Sequence, residues 1–209
     1  MSDYTDFSAL SPTTYADALG REQFMDSGIR EMWPQIPRIA GPAYTVSCGA
    51  GDNLMLHAAI YRAPVGAVVV VQAGDHDYAV SGGNVCATAQ QQGISGFVVD
   101  GVIRDVAEVR SHRFPVFARG VMPIPGQKKG PGTLNQPVLC GGVTVHPGDI
   151  VVADEEGIVV VPRQQQTAVL SVAQQRHGRD MSESLADWQI AHRAKIDRIL
   201  QELGDGDGS

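Results

Sequence analysis

Apolar residues in this chain gather more often in short unbroken runs than in alternation. Ala67-Val68-Val69-Val70-Val71 is a β-branched run set between the turn Pro64-Val65-Gly66 and the polar loop Gly74-Asp75-His76-Asp77. Such a run predicts a strand covered on both faces. Gly96-Phe97-Val98-Val99-Asp100 repeats the pattern and leads into Gly101-Val102-Ile103-Arg104-Asp105. Between the two runs, Ser81-Gly82-Gly83 opens a stretch predicted as a helix from Asn84 to about Gln92, and Gly93 ends it. A second helix is expected to begin near Asp105. Strand, helix and strand at this spacing form a βαβ unit with a right-handed crossover. Ligands in open α/β sheets bind beyond the carboxyl ends of such strands. Here those ends carry Gln72 to Asp75 and Asp100 to Asp105.

The flanks read differently. Residues 8–31 are expected to be helical, starting from the caps and proline of Ser11-Pro12-Thr13-Thr14. Pro34, Pro37 and Pro42 end that segment, and Ala43 to Cys48 reads as a strand. Asp52 to Ala63 suits a short helix. Pro115 to Arg119 and Val143 to Val145 read as strands, and Ile150 to Ala153 with Ile158 to Val161 as a hairpin turning at Asp154-Glu155-Glu156-Gly157. Residues 123–137 read as an ordered loop, 164–203 as charged helices, and 204–209 as a flexible tail. The fold class is therefore α/β, a single domain over 1–203. A pure Rossmann fold is excluded, because hairpin turns rather than helices join the later strands.

Composition narrows the function classes. The 209 residues suit one domain of roughly 100–200 residues with extensions, and an apolar share of 43% is enough for a core. A net charge of −7 opposes binding to phosphate backbones, so no nucleic-acid partner is expected. The polar, acidic start lacks the basic and apolar parts of a secretory signal. The longest apolar run falls far short of the ~20 residues needed to span a bilayer, so no membrane partner is expected. Three scattered cysteines with no CxxC pair point to buried free thiols in a reducing compartment. The expected location is cytoplasmic.

Two segments can carry chemistry. Ser81-Gly82-Gly83-Asn84 lets backbone approach a ligand closely, and the helix behind it offers free N–H groups near Asn84 and Val85 to an anion. A tight turn and cap with nothing bound is the bland reading. In Arg104-Asp105-Val106-Ala107-Glu108, the guanidinium can clamp a carboxylate or steady an enolate oxygen. Asp105 and Glu108 share a helix face, and their hard oxygens suit Mg²⁺ or Mn²⁺. A helix start with acidic first-turn residues is the alternative. The six histidines show no zinc spacing; His76 follows a buried strand, but a structural role for it is the stronger reading. Lys128 and Lys129 read as a solvated loop. No lysine ends a buried strand, which argues against a Schiff base and favours metal catalysis.

Taken in order, these segments resemble the RraA-like family. The likeness runs from about Tyr15 to Arg163. It includes Asp17-Ala18-Leu19, Gly41 to Val46, Gly82-Gly83, Gly96 to Gly101, Arg104-Asp105, Pro115 to Gly120, Gly141-Gly142-Val143, Pro147-Gly148-Asp149 and Ala153 to Gly157. That family includes a protein inhibitor of a ribonuclease and metal-dependent 4-hydroxy-4-methyl-2-oxoglutarate/4-carboxy-4-hydroxy-2-oxoadipate aldolases. The resemblance implies a layered β/β/α swivelling-type domain with helical N- and C-terminal extensions. It also implies homotrimers or hexamers with sites between subunits. An Arg-Asp pair followed after two residues by an acid marks the aldolase branch, and Arg104, Asp105 and Glu108 keep it. The likeness makes Asp105 a metal ligand and Arg104 the holder of the pyruvoyl group, with the backbone at Asn84 and Val85 gripping the carboxylate. One departure stands out. The aldolase pattern has an acid twenty-one positions before the arginine, where this chain has Gly83, so that acid is missing or supplied elsewhere.

The implied activity is metal-dependent cleavage of a 4-hydroxy-2-oxo acid to pyruvate, with oxaloacetate decarboxylation as a side activity because it needs the same enolate. A non-catalytic regulator that binds a ribonuclease or helicase is the rival. Methyl transfer is disfavoured, because no strand–GxGxG–helix signature is present.

Overall fold

Consecutive β-branched residues have no polar face to turn outward, so they belong in the middle of a covered sheet. The computed structural model describes residues 4–130 and 132–204. Its first half runs α1 (Thr5–Ser8), β1 (Arg30–Glu31), β2 (Ile39–Ser47), α2 (Leu54–Ala59), β3 (Val68–Gln72), α3 (Gly83–Gln91), β4 (Gly96–Ile103), α4 (Val106–Ser111) and β5 (Val116–Val121). The second half runs β6 (Thr133–Leu134), β7 (Val138–Cys140), β8 (Val143–Val145), β9 (Ile150–Asp154), β10 (Gly157–Val161), α5 (Gln166–Ser182) and α6 (Leu185–Gly204).

β5, β4, β3 and β2 lie side by side and parallel, and α2, α3 and α4 make the crossovers between them. The chain thus holds three βαβ steps. All four valines of β3 are fully buried, as their run predicts. β2 belongs to two ladders. Ile39–Pro42 pairs antiparallel with β9, and Ala43–Ser47 pairs parallel with β3. Pro42, which has no N–H to donate, sits at the changeover. The hairpin β9–β10 extends the sheet beyond β2 and carries a core on each side. One side joins the large cluster around β3 and β4. On the other, Ile150, Val152, Val159 and Val161 pack with Phe7, Leu10 and Tyr15 from the N-terminal segment and Val169 and Ala173 from α5.

The expected helix over 8–31 does not form. Short 3-10 turns occupy Pro12–Asp17 and Arg21–Gln23, and Arg30–Glu31 adds an edge strand to β5. Gly20 and Gly28 interrupt the stretch, and Phe7, Leu10 and Tyr15 are drawn onto β9–β10 instead of forming a helical stripe. The N-terminal extension therefore holds only short helical pieces, α1 and two 3-10 segments, whereas the C-terminal extension is two long helices. The loop after β5 contains β6, which pairs with the end of β2. Of the expected tail, residues 205–209 lie outside the described residues. Among the described residues, no helix is long and apolar enough to cross a membrane.

Candidate functional site at the carboxyl ends of the parallel strands

Past β3 the chain runs as an extended segment through residues 79–82 and is stitched on both sides. Arg104 N donates to Ser81 O at 3.0 Å and Val80 N to Val102 O at 3.0 Å. On the far side, Ala79 N donates to Ile124 O and Gly126 N to Ala79 O. These bridges place Gly82 beside Arg104 and bring the loop after β5 over the start of α3.

Asp105 occupies the left-handed region, with φ 57° and ψ 36°, as the residue before α4. Aspartate tolerates this region better than most side chains. The twist turns its carboxylate away from its own helix, back to the glycine pair. Gly83 N donates to Asp105 Oδ2 at 3.2 Å, and Arg104 Nε lies 3.3 Å from the same oxygen. Gly82 has extended backbone, so its need for glycine is spatial. A Cβ there would sit 2.5 Å from Asp105 Oδ2 and 3.1 Å from Arg104 Cγ.

The result is a cavity of about 90 Å³ lined by Gly82, Asn84, Val85, Arg104 and Asp105 on one side and Asn53, His57 and Lys128 on the other. It is far smaller than drug-sized pockets of roughly 300–1,000 Å³ and suits a small acid. Of the residues expected from sequence, Gly82, Asn84, Val85, Arg104 and Asp105 meet there. Gly83 lies just behind the wall, and Glu108 lies against Gly83 rather than on the cavity.

The opposite wall went unread in the sequence. Asn53 is 3% exposed, its Nδ2 donates to Gly126 O at 3.2 Å, and its Oδ1 has no partner among the described residues. A buried oxygen without a donor is rare, and here it borders a cavity. His57, on α2, has its pKa lowered to about 4, first by burial and then by the Lys128 charge, against the opposing pull of Asp52. Its imidazole is therefore neutral at pH 7. Lys128 is an exposed loop residue, as expected, and its loop is pinned by buried Asp52. Asp52 Oδ2 accepts from Lys129 N at 2.6 Å and Gly130 N at 2.7 Å, and Oδ1 accepts from Leu54 N at 2.8 Å. Burial works to raise the Asp52 pKa, but these three amides and the Lys128 charge outweigh it and hold the group below its ordinary value. The only sequence signals were a run of polar residues before α2 and two lysines in a loop.

Lys128 borders the cavity from the loop after β5 and does not end a buried strand. It remains exposed, whereas a Schiff-base lysine depends on desolvation or a neighbouring cation.

His76 does not face this cavity. It borders a separate hollow of about 300 Å³ with Gln72, Asp75 and Asp100, its Nε2 3.8 Å from Asp100 Oδ1. Asp100 itself is held by Arg119 Nε at 2.5 Å and by Gly141 N at 2.7 Å. A larger groove of about 850 Å³ lies at the opposite ends of the strands, around Arg38, Val65 and Arg113.

Among the described residues, no three His, Cys, Asp or Glu side chains cluster as a metal cage. Asp105 puts one carboxylate on the cavity, and Glu108 places a second behind it, against Gly83. Mg²⁺ and ions like it commonly use one or two carboxylates and keep several waters, so these donors suit such an ion.

Comparison with known proteins shows the family and the fold. The model of the RraA-like family, described as Aldolase/RraA, matches residues 12–160. A protein of Halalkalibacterium halodurans, provisionally named as a 4-hydroxy-4-methyl-2-oxoglutarate aldolase, is 36% identical over 199 residues, 94% of each chain. An uncharacterised Pseudomonas syringae protein of known structure superposes with a TM-score of 0.74 at 27% identity, covering 90% of this chain and 92% of that one. Streptomyces coelicolor RraAS2, described as an unusual member of the RNase ES inhibitor RraA family, gives 0.75 at 29% identity over 85% and 92%.

Proposed function

Because the chain belongs to the RraA-like family, we propose that it is a divalent-metal-dependent carbon–carbon lyase that releases pyruvate from a 4-hydroxy-2-oxo acid, with oxaloacetate decarboxylation as a second activity. The observation that carries this reading is the meeting of Gly82, Asn84, Val85, Arg104 and Asp105 on one small cavity. The aldolase name of the Halalkalibacterium relative supports it.

Asp105, with Glu108 beside it, would hold the ion, Mg²⁺ or Mn²⁺, and the ion would supply Lewis-acid polarisation of a 2-oxo acid. The amides at the start of α3, near Asn84 and Val85, grip the substrate carboxylate with the positive end of the helix. Arg104 steadies the negative charge that develops on the ketone oxygen as the C3–C4 bond breaks. A water in the cavity takes the hydroxyl proton from O4 as C4 becomes a carbonyl, and the enolate takes a proton from water at C3 to give pyruvate. The far wall receives the second half of the substrate: Asn53 Oδ1 accepts from its hydroxyl, and Lys128 pairs with an anionic group. A pKa near 4 makes His57 a poor base at neutral pH, so it serves as a neutral hydrogen-bonding side. The resemblance adds a homotrimer or hexamer in a cytoplasmic setting.

The test is pyruvate release from oxaloacetate and from 4-carboxy-4-hydroxy-2-oxoadipate, coupled to lactate dehydrogenase, with Mg²⁺ or Mn²⁺ and then EDTA. Release above the metal-only background is expected, lost with EDTA and in Asp105→Ala. Arg104→Ala is expected to cost on the order of a hundredfold in turnover, the scale of losing one preorganised donor. Near-normal turnover in that variant would sink the assignment of Arg104. The likeness to RraAS2 favours a second reading, a non-catalytic regulator of a ribonuclease or helicase. No release with any metal would move the assignment there.

A further inference from the structure

α3 and α4 end in the same way. After α3, Gly93 N donates to Gln90 O and Ile94 N to Ala89 O; after α4, Arg113 N donates to Arg110 O and Phe114 N to Val109 O. This pair of bonds puts the residue past the helix in the left-handed region, where glycine is usual. Gly93 follows that rule with φ 78°, but Arg113 holds φ 56° with a long side chain. A bulky residue is an outlier there, and such outliers gather where a side chain meets a ligand. Arg113 is exposed and has no ion pair or side-chain hydrogen bond among the described residues.

Arg113 borders the groove of about 850 Å³ at the amino ends of the parallel strands. Ile39 opens β2 there, and Gly66, Ser95 and Pro115 lead into β3, β4 and β5. The volume falls within the roughly 300–1,000 Å³ of small-molecule sites. Pro37, Ile39, Ala40, Val65 and Pro115 give the groove apolar walls, and Val65 is 76% exposed on it. In a chain of net charge −7, its charged lining is Arg38 and Arg113, with no carboxylate among the described residues. Arg38 is already answered from behind. Its Nε lies 2.7 Å from Asp154 Oδ2, and its Nη1 donates to Ser8 O. Arg113 is left as the uncompensated charge.

We propose that this groove is a second ligand site, which takes a small organic monoanion: a carboxylate on an alkyl or aryl body. The guanidinium fork of Arg113 pairs with the carboxylate through two parallel hydrogen bonds. The body lies over Val65, Ile39 and Pro115. One uncompensated cation calls for one anionic group, and the apolar walls call for a body that small polar 2-oxo acids lack. The site is therefore separate from the cavity at Arg104 and does not depend on the lyase reading.

The probe is octanoate, titrated into the full-length protein by calorimetry, with acetate and 1-octanol as the two halves of the ligand. Octanoate is expected to bind at one site per chain, and each half at least tenfold more weakly. Arg113→Gly is expected to weaken octanoate binding at least tenfold and yet raise the melting temperature, because glycine suits the left-handed position. Val65→Asp should weaken binding by a similar factor, because it sets a like charge on the apolar wall. No binding of octanoate by the parent, equal binding of acetate or 1-octanol, or full affinity in Arg113→Gly would overturn the site. A lower melting temperature in Arg113→Gly would overturn it too, by showing that the arginine serves the fold.

Discussion

His57 shows how much of this site depends on keeping a side chain uncharged. Its folded pKa, about 4, lies below the ordinary value of 6.5. The folded state therefore binds fewer protons than the unfolded chain between those two values. By linkage, the stability this imidazole contributes is present above about pH 6.5 and is lost as pH falls through 4. Denaturation midpoints should accordingly fall between pH 7 and pH 4.5, and His57→Gln should flatten that slope. An unchanged slope in the variant would show that other groups carry the acid sensitivity. Lys128→Ala provides an internal check, because removing its charge should raise the His57 pKa, readable from the imidazole C–H resonances.

At the scale of elements, the site is an assembly of helix starts and one clamped loop. Asp52 is the clamp: 5% exposed, it accepts amides from Leu54, Lys129 and Gly130. Asp52→Ala leaves those donors unpaired and is expected to cost on the order of 2–3 kcal/mol, the scale of losing hydrogen bonds to a charged group. Proteolysis within 126–130 should quicken, and KM should rise because Lys128 is no longer held at the cavity. A KM equal to that of the parent would mean that the loop does not meet substrate. This clamp also marks the boundary of what was legible in the sequence. The β3–α3–β4 core could be read because Val68–Val71 and Phe97–Val99 have one possible environment, a sheet covered on both faces. Gly82, Arg104 and Asp105 could be placed because both segments follow such strands. Asn53, His57 and Lys128 could not, because they reach the cavity only through backbone bridges between residues far apart in sequence, such as Asp52 with Gln127 and Ala79 with Pro125. The segment over 8–31 misled for a related reason. Leu10 and Tyr15 answer to β9–β10, more than a hundred residues away, and not to a period of their own.

At the scale of the whole molecule, the C-terminal helices pose a question of burial. α5 anchors itself through Val169 and Ala173, and Arg176 pairs with Asp17 and Asp180. α6 extends for 20 residues and buries none of them. Yet Leu185, Trp188, His192, Ile196, Ile199 and Leu203 recur at three- and four-residue steps on it, and each of the five apolar ones is more than a third exposed. Trp188 stacks on His192 within the same stripe, their ring centroids 4.4 Å apart. An amphipathic stripe of this length faces something in a stable protein, and the resemblance to an oligomeric family makes a second copy of the chain the expected cover. Light scattering should therefore give three or six times the 22.2 kDa chain mass. Ile196→Asp with Ile199→Asp should shift the population to smaller species and shift Trp188 emission to the red as its cover is lost. The core around β3 and β4 should be spared, because α6 buries nothing against it. If metal-dependent pyruvate release falls with the assembly while each chain keeps its melting transition, the cavity at Arg104 is completed only between subunits. If release is unchanged in the smaller species, each chain carries a whole site and α6 serves assembly alone.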